Sequence, residues 1–319
     1  MKIINELHRR LEKEKIIYSN ISFLAGDASE RKYFLIKQRE VKNVLMLDND
    51  KDNLENFVFI TNHLKNMVSV PKIIFNLRES GILIIENFNK RKFSHIISKS
   101  NSKELYKVAT DALIFVHKHS LEIDLLTYNR KIFLEESNLF FNWYIEKIEE
   151  KKLKEIEFNF NNEFSNLLEK VFLLPKVFIH RDYHIDNLFY LENRNGHRQC
   201  GWIDYQDALI GPCVYDLVSL TQDARIDVNK ELENYIIQYY LEKFNQINKE
   251  HFLFSYSLIA IQRHLKVLGI FSRLAKRDKK NSYLSHIPRV LKMLKLNLHK
   301  NEFRGLYKIL KPILNGSDD

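Results

Sequence analysis

Residues 180–187 have the sequence His-Arg-Asp-Tyr-His-Ile-Asp-Asn, and residues 202–204 have the sequence Trp-Ile-Asp. Three apolar residues come directly before the first stretch. The segment between the two stretches contains Asn195 and Gly196, and an Asn-Gly pair is a strong signal for a turn between antiparallel strands. This order predicts a polar loop followed by a β-hairpin, with a carboxylate at the far end of the hairpin.

The loop and the hairpin supply three polar side chains with complementary chemistry, namely Asp182, Asn187 and Asp204. The hairpin would bring Asn187 beside Asp204, and amide and carboxylate oxygens are ligands that Mg²⁺ prefers. Asp182 would then orient an acceptor hydroxyl and take its proton. An isolated Asp-x-x-x-x-Asn is usually a solvated turn, but the ordered combination predicts kinase-type phosphoryl transfer, in which the protein aligns two oxygens and neutralises charge.

The composition limits the class of protein. With 50 basic and 41 acidic residues the formal net charge is +9. A positive charge suits anionic partners such as nucleotides or nucleic acids. A compositional bias toward Lys and against Gly and Pro explains the excess of basic residues without any function. No apolar run approaches the ~18 residues of a membrane helix, and the first ten residues lack the apolar core of a signal peptide. Cys200 and Cys213 are too few for a zinc site or a disulfide framework. We therefore expect a cytoplasmic protein without a membrane partner.

The first 89 residues have the pattern of a small antiparallel sheet. Short segments rich in β-branched and aromatic residues alternate with turn signals, and apolar residues recur at helical spacing in two places. The predicted strands are residues 21–24, 32–36, 44–47, 73–75 and 82–85, and the predicted helices are residues 2–15 and 54–64. We assign residues 1–89 to an N-terminal nucleotide-binding lobe.

Residues 90–319 are predicted to form a second, mostly helical lobe that contains the catalytic loop and the acceptor site. Apolar and aromatic residues recur at helical spacing in residues 105–116, 133–148, 232–244, 252–276 and 284–299. The polar segment 151–162 is interpreted as a mobile connection. The predicted fold class is therefore α+β, a bilobal protein-kinase-like fold with a small antiparallel β-sheet lobe plus one helix and a larger, mostly helical lobe.

Nucleotide-binding residues are expected in the N-terminal lobe and at its end. Gly26, Asp27 and Ser29 lie in the turn between the first two strands, where a kinase places a loop over the phosphates; a plain hairpin turn explains the same residues. Glu86 and Phe88 follow an aliphatic strand and would place backbone groups against the adenine. Taken alone, that segment is also an ordinary strand end.

Two features depart from the protein-kinase pattern. The third strand has Met46 where a phosphate-binding Lys is expected, so we assign the phosphate contact to Arg31, with Lys32 as the alternative. The short segment between Asp204 and the next helix leaves no room for an activation segment, and a small substrate is therefore expected. Asp216, at the start of that helix, is expected to cap it and to brace the catalytic loop.

Several segments together resemble the aminoglycoside phosphotransferase and choline kinase superfamily, and within it the bacterial N-acetylmuramate/N-acetylglucosamine anomeric kinases. They are residues 24–33, 180–187, 203–209, 215–220 and 262–274, and the resemblance extends over nearly the whole chain. It implies a kinase that uses ATP and Mg²⁺ to phosphorylate the anomeric hydroxyl of N-acetylmuramate or N-acetylglucosamine, giving the α-1-phosphate in cell-wall sugar recycling. The family's proline-bearing acidic segment after the third strand is replaced here by a segment without proline at residues 48–52, so the geometry of that loop is expected to differ.

Residues close to the proposed base and metal ligands are assigned to the sugar substrate. His184, Asp186, Gln206 and Asp207 could hydrogen-bond sugar hydroxyls, although His184 could equally brace the catalytic loop. Arg263 lies on a stretch that the resemblance places along the acceptor cleft, where it could pair with the lactyl carboxylate of N-acetylmuramate. A solvated helix face is the alternative for Arg263.

Three other functions fit parts of the sequence. An aminoglycoside or other hydroxylated-metabolite phosphotransferase of the same superfamily would use the same catalytic residues, but a cationic aminoglycoside calls for an acidic cleft and the C-terminal half is rich in basic residues. A catalytically silent nucleotide-binding module is suggested only by the missing strand Lys. A nucleic-acid binder is suggested only by charge, without a recognised motif. We expect a monomer that acts on a small amino sugar and binds no nucleic acid.

Overall fold

A five-stranded antiparallel sheet is the main feature of the first part of the chain in the computed structural model, which describes residues 2–26, 31–119, 123–146, 148–245 and 247–314. Its strands are β1 (Asn20–Gly26), β2 (Lys32–Gln38), β3 (Val41–Leu47), β4 (Ile73–Leu77) and β5 (Ile82–Ile85), in the order β1-β2-β3-β5-β4. Helix α1 (Lys2–Lys13) precedes the sheet, and helix α2 (Lys51–Leu64) connects β3 to the segment before β4. The predicted strands and both predicted helices are confirmed, with ends that differ by a few residues.

Helix α1 packs against this sheet because the two have matching apolar surfaces. Leu7 and Leu11, four residues apart and therefore on one helix face, are fully buried. They join a core cluster with alternate residues of three adjacent strands, Phe34, Ile36, Leu45, Leu47, Ile82 and Ile84. Alternation in the strands directs these side chains to one face of the sheet.

The remainder of the chain is mainly helical. Its helices are α3 (Phe93–Ile96), α4 (Ser102–His119), α5 (Arg130–Leu139), α6 (Glu150–Val171), α7 (Tyr215–Thr221), α8 (Lys230–Lys243), α9 (Lys249–Lys276), α10 (Ile287–Leu298) and α11 (Arg304–Leu314). Two short antiparallel pairs interrupt them, β6 (Lys176–Ile179) with β9 (Leu209–Pro212) and β7 (Leu188–Tyr190) with β8 (Cys200–Trp202). Within the described ranges, none of the helices is long and apolar enough to cross a membrane.

The chain divides into two compact units. One, here called the sheet unit, consists of Met1–Ala112 and Asp186–Asp207; the other, here called the helical unit, consists of Leu113–Ile185 and Ala208–Asp319. The division predicted between residues 89 and 90 differs from these units, chiefly in the position of the β7–β8 hairpin. The hairpin belongs to the sheet unit because Trp202 N–H donates to Ser69 O at 2.8 Å and Tyr190 N–H donates to Arg91 O at 2.8 Å.

Residues 151–162 are not a mobile connection, and this prediction was wrong. They lie in the 22-residue helix α6, whose residues Ile156, Phe160, Phe164 and Leu168 recur every four positions and are buried. Lys151, Lys152, Lys154 and Glu155, at the start of the helix, are exposed, so the segment has a high polar content while one narrow face packs into the core. The sequence analysis also did not predict α11, although Leu306, Leu310 and Ile313 are buried there at helical spacing.

Gly269 in α9 allows close approach to the C-terminal end of α5, because a Cβ at this position would overlap the backbone of Leu139. We expect Gly269→Ala to lower the free energy of unfolding by at least about 2 kcal/mol, since backbone atoms can only move together with their helix. Gly305→Ala in α11 is the matched control, because its Cβ would meet only the side chain of Glu163, which can rotate away. Chemical denaturation of both variants tests this, and equal destabilisation would contradict it.

Candidate active site

The start of the catalytic loop is fixed by a single buried carboxylate in the helical unit. Asp216 accepts a hydrogen bond from His180 N–H at 2.6 Å through one oxygen and from Arg181 N–H at 3.0 Å through the other. Asp216 is completely buried, and burial raises its pKa to about 6, although His180 and the two amide bonds oppose the shift. The predicted bracing of the loop is confirmed, but the predicted helix cap is not, because both oxygens bond the loop and the α7 N-cap residue Val214 makes no side-chain cap.

Arg181 has a strained backbone conformation that these bonds maintain. Its φ angle is +72°, in the left-handed region, where a residue with a Cβ other than Asn or Asp is uncommon. Such a conformation costs of order 1–3 kcal/mol and persists only when its surroundings hold it. Here the amide on one side of Arg181 is held by Asp216, and the carbonyl on the other side accepts a hydrogen bond from Arg263 Nη1 at 2.8 Å.

Arg263, which was predicted to bind substrate, is directed at the loop backbone. Its second terminal nitrogen donates to Ser219 Oγ at 2.6 Å, and its guanidinium lies 4.7 Å from the centre of the Tyr215 ring. Only 8% of the residue is exposed. The structure thus places Arg263 beside the loop as a positioning residue, and a contact with substrate stays a prediction.

A second buried network binds the side chain of Arg181. Glu136 Oε1 accepts from Arg181 Nη2 at 2.5 Å and from Lys266 Nζ at 2.9 Å, and its other oxygen accepts from the hydroxyl of Tyr128. Burial would raise the pKa of Glu136, but Lys266 and Arg181 outweigh it and lower the pKa to about 2. The sequence analysis assigned no role to Glu136 or Lys266. Lys266 lies three residues after Arg263 and so on the same helix face, which is the only local signal for it.

Asp182, the predicted catalytic base, lies half-buried among cations of the helical unit. Burial alone would raise the pKa of its carboxyl group, but the nearby cations Lys266 and Arg263 lower it well below the ordinary range. The carboxyl group is therefore ionised at neutral pH. His184, predicted to bind substrate, is buried, and its backbone N–H donates to Asp182 O at 3.1 Å. Burial and the nearby Arg225 lower the pKa of His184, so its ring is neutral.

The predicted metal ligands Asn187 and Asp204 lie together in the sheet unit. The predicted hairpin is confirmed, and just beyond its ladder Ile203 N–H donates to Asn187 O at 3.1 Å. The side-chain nitrogen of Asn187 lies 3.4 Å from Asp204 Oδ2, and a flip of this amide would present its oxygen instead. Asp204 has a φ angle of +64°, which turns the chain sharply at the end of β8.

This pair fits a magnesium ion chemically, since one amide oxygen and one carboxylate are hard oxygen donors. No group of three or more His, Cys, Asp or Glu residues is arranged to hold a metal within the part of the chain that the structure describes. Asn187 and Asp204 would therefore hold Mg²⁺ only with phosphate oxygens and waters as its other ligands, which is the usual arrangement for nucleotide-bound Mg²⁺.

Helix α2 fixes the residues that follow Asp204. The hydroxyl of Tyr205 lies 2.7 Å from Thr61 Oγ1, and the Tyr205 ring stacks on Phe57 at 5.2 Å between centres. Asn56 Nδ2 donates to Gln206 O at 2.6 Å. This contribution of α2 has no local signal in the sequence, because more than 140 residues separate Thr61 from Tyr205.

Two further substrate-binding predictions, Gln206 and Asp207, lie beside Asp204. Gln206 Nε2 donates to Asp204 Oδ1 at 3.0 Å and to Asp207 Oδ2 at 3.1 Å, and Gln206 is almost fully buried. The side chain of Gln206 therefore orients the proposed metal ligand. Asp207 is exposed, and Asp186 is partly exposed one residue before Asn187. Sugar contacts by these residues stay predictions.

The predicted nucleotide-binding residues are dispersed over the sheet unit. Gly26 ends β1, whereas Asp27 and Ser29 lie outside the described residues. Arg31 is buried, and its Nε donates to Asp48 Oδ2 at 3.1 Å. A phosphate contact by Arg31 stays a prediction.

Glu86 and Phe88 follow β5, as predicted, and both are engaged by Arg194 of the hairpin. Arg194 Nη2 donates to Glu86 Oε1 at 2.8 Å, and the guanidinium lies 5.4 Å from the centre of the Phe88 ring. Phe88 is buried. These contacts occupy the side chains, so the predicted adenine contact would involve the backbone of this segment. That contact stays a prediction.

The braced aspartate loop, the pair of predicted metal ligands and the fold are those expected of a phosphotransferase. The chain matches the phosphotransferase enzyme family over residues 20–249 and belongs to this family. It is therefore an enzyme that transfers a phosphoryl group to a hydroxyl acceptor.

Comparisons with individual proteins agree with this family. The chain is 29% identical over 315 residues to the N-acetylmuramate/N-acetylglucosamine kinase of Neisseria meningitidis serogroup B. The matched region covers 94% of this chain and 92% of that protein. It is similar in fold to choline kinase LicA of Streptococcus pneumoniae, with a TM-score of 0.67, 12% identity and coverage of 93% and 100% of the two chains. The ADP-bound aminoglycoside phosphotransferase APH(2″)-Ib gives a TM-score of 0.64, 16% identity and coverage of 92% and 98%. The predicted protein-kinase-like fold is confirmed.

The contribution of Glu136 to stability, through its bonds with Arg181 and Lys266, can be tested with Glu135 as the control. We expect Glu136→Gln to lower the free energy of unfolding by about 3 kcal/mol, because it leaves Arg181 and Lys266 buried without their carboxylate. Glu135→Gln makes the same change in charge at an exposed position with only a 3.8 Å contact to Lys131, and should change stability by less than about 0.5 kcal/mol. Urea denaturation of both variants measures the difference; similar losses would refute the role of Glu136.

The raised pKa of Asp216 predicts a defined pH dependence of stability. Its pKa of about 6 lies above the ordinary 3.8, so the folded protein binds this proton more tightly, and stability decreases as pH rises from about 4 to about 6. The shift corresponds to about 3 kcal/mol. We therefore expect the free energy of unfolding of the wild type to fall by about that amount relative to Asp216→Asn between pH 4 and pH 7.

The matched control for this pH series is Asp227→Asn. Asp227 is exposed, and its pKa is lowered by a hydrogen bond from Arg289. The difference between the wild type and this variant should change little with pH, and in the opposite direction. A constant difference between the wild type and Asp216→Asn over the same range would show that Asp216 titrates normally.

Proposed function

We propose that the protein uses ATP and Mg²⁺ to phosphorylate the anomeric hydroxyl of N-acetylmuramate or N-acetylglucosamine, giving the α-1-phosphate. The observation that carries this proposal is the similarity, over 94% of the chain, to a relative of that name. The family supplies the reaction class, and the relative suggests the acceptor. A cytoplasmic monomer that contributes to the recycling of cell-wall sugars, without nucleic-acid or membrane partners, is part of the same proposal.

The mechanism follows from the state of Asp182. Because its pKa is held low, Asp182 is an ionised but weak base, so its first task is to accept a hydrogen bond from the anomeric hydroxyl and orient it. The hydroxyl oxygen forms a bond to the γ-phosphorus while the bond to the β,γ-bridging oxygen breaks, and ADP leaves. The acceptor proton passes to Asp182 as the new ester forms. Mg²⁺ would neutralise phosphate charge at Asn187 and Asp204.

The predicted sugar contacts belong to the same proposal. His184 is neutral, and as a neutral ring it could donate a hydrogen bond to a sugar hydroxyl without repelling the cations near Asp182. Asp186 and Asp207 are accessible enough to accept hydrogen bonds from hydroxyls. Arg263 has little exposed surface, so its proposed contact with the lactyl carboxylate is the least supported of these roles.

The proposal is tested by incubating the protein with ATP, Mg²⁺ and each amino sugar, and by identifying the product with phosphorus NMR. We expect a phosphate ester coupled to an anomeric proton in the α configuration. Asp182→Asn should reduce turnover by at least about 10³-fold, since it removes the group that orients and deprotonates the acceptor, while ATP affinity changes little. Unchanged turnover in this variant would contradict the proposed role of Asp182.

Other outcomes of the same assay distinguish the alternatives. A phosphate ester formed on an aminoglycoside or another hydroxylated metabolite, with none on either amino sugar, would replace the acceptor and leave the reaction class intact. ATP binding without turnover on any acceptor would favour the catalytically silent module.

A further inference from the structure

A cavity of about 600 Å³ lies in the sheet unit, apart from every residue assigned to catalysis. It is bounded by the C-terminal end of α2, the segment that leads into β4, and the turn of the β7–β8 hairpin. This volume is within the range of about 300–1,000 Å³ that is usual for small-molecule sites. None of the residues predicted to bind the nucleotide, the metal or the sugar lines it.

The charged side chains that line this cavity are all cationic, namely Lys65, Lys72, Arg194 and Arg198. Arg194 is neutralised by Glu86 at 2.8 Å. Within the described ranges, no carboxylate forms an ion pair with the other three side chains. The cavity therefore has three uncompensated positive charges beside one neutral pair.

The contacts of Arg198, Lys65 and Lys72 show that their positive charges remain available to a ligand in the cavity. Arg198 donates to the carbonyls of Lys65, at 3.3 Å, and Asn66, which directly follow the end of α2. Those carbonyls are neutral, so they fix the guanidinium in place without cancelling its charge. Lys65 Nζ donates only to Asn62 Oδ1 at 2.8 Å, and Lys72 is exposed. Hence one fixed and two adjustable cations face the same space.

The floor of the cavity is apolar and rigid. Val68 and Val70 are almost completely buried, and Pro71 is buried beside them. A site with cations on its walls and an apolar floor suits an anion attached to an organic body. Three uncompensated positive charges match a dianion better than a monoanion.

We propose that this cavity binds a small molecule that carries a phosphate group. The inference does not depend on which acceptor the enzyme phosphorylates, because no catalytic residue contributes to the site. Thr61, which lines the cavity, also contacts Tyr205 next to the proposed metal ligand Asp204. An occupied cavity would thus touch an element that positions the metal-binding segment.

The test uses the full chain with saturating ADP and Mg²⁺, so that the nucleotide site is already occupied. The rise in melting temperature is measured against inorganic phosphate and against glycerol 3-phosphate, at constant ionic strength, because a ligand that binds only the folded state stabilises it by an amount that grows with the ratio of its concentration to its Kd. We expect the melting temperature of the wild type to rise with phosphate concentration, and to follow the logarithm of the concentration above the Kd. Tighter binding of glycerol 3-phosphate would identify an ester rather than the free ion as the occupant.

The variant Lys65→Gln with Lys72→Gln should weaken this binding by about tenfold or more, because it removes the two adjustable cations. The control, Lys42→Gln with Lys99→Gln, removes the same charge from exposed lysines of the sheet unit that do not line the cavity, and should keep wild-type affinity. The proposal is overturned by an absent response in the wild type, by equal responses of the two variants, or by equal stabilisation with acetate.

Discussion

The buried carboxylate of Asp216 is the constraint on which the catalytic loop depends. Its two oxygens bond two consecutive amides, which requires the peptide planes at His180 and Arg181 to face the same way. Asp216 holds the peptide group before Arg181, and Arg263 holds the carbonyl after it, so the two contacts together maintain the left-handed conformation of Arg181. The direction in which Asp182 leaves the loop is therefore determined by a side chain that lies more than 30 residues further along the chain.

The interior of the helical unit is electrically balanced around this loop. Three cationic side chains, Arg181, Arg263 and Lys266, accompany three acidic ones, Glu136, Asp182 and Asp216. Glu136 binds two of the cations directly. The cations near Asp182 favour its ionised form. The balance explains how a kinase can keep an ionised carboxylate in a partly dry site, since an uncompensated charge there would be costly. It also leaves Asp182 as a weak base, which suits a reaction in which the proton moves late.

Local pattern was sufficient for the sheet, the hairpin and the order of the polar loop, because strand alternation and turn residues are properties of neighbouring positions. Local pattern was insufficient where polar residues obscured the apolar spacing, and where the interacting residues are far apart in the sequence. Helix α6 was missed because its first turns are rich in exposed Lys and Glu. The bond of Arg263 to Arg181 O joins residues 82 positions apart. Tyr205 and Thr61 illustrate the same limit. Proximity of this kind has no local sequence signature.

The path of the chain through the two units limits how the protein can be divided. The backbone passes between the sheet unit and the helical unit after residues 112, 185 and 207, so no single break in the polypeptide separates them. A gene fragment that ends at residue 112 would lack the hairpin, with Asn187 and Asp204 in it. Two of the crossings lie within three residues of Asp182 or Asp204. Fragment exchange between members of this family would therefore have to transfer both lengths of chain together, or lose the residues on which phosphoryl transfer depends.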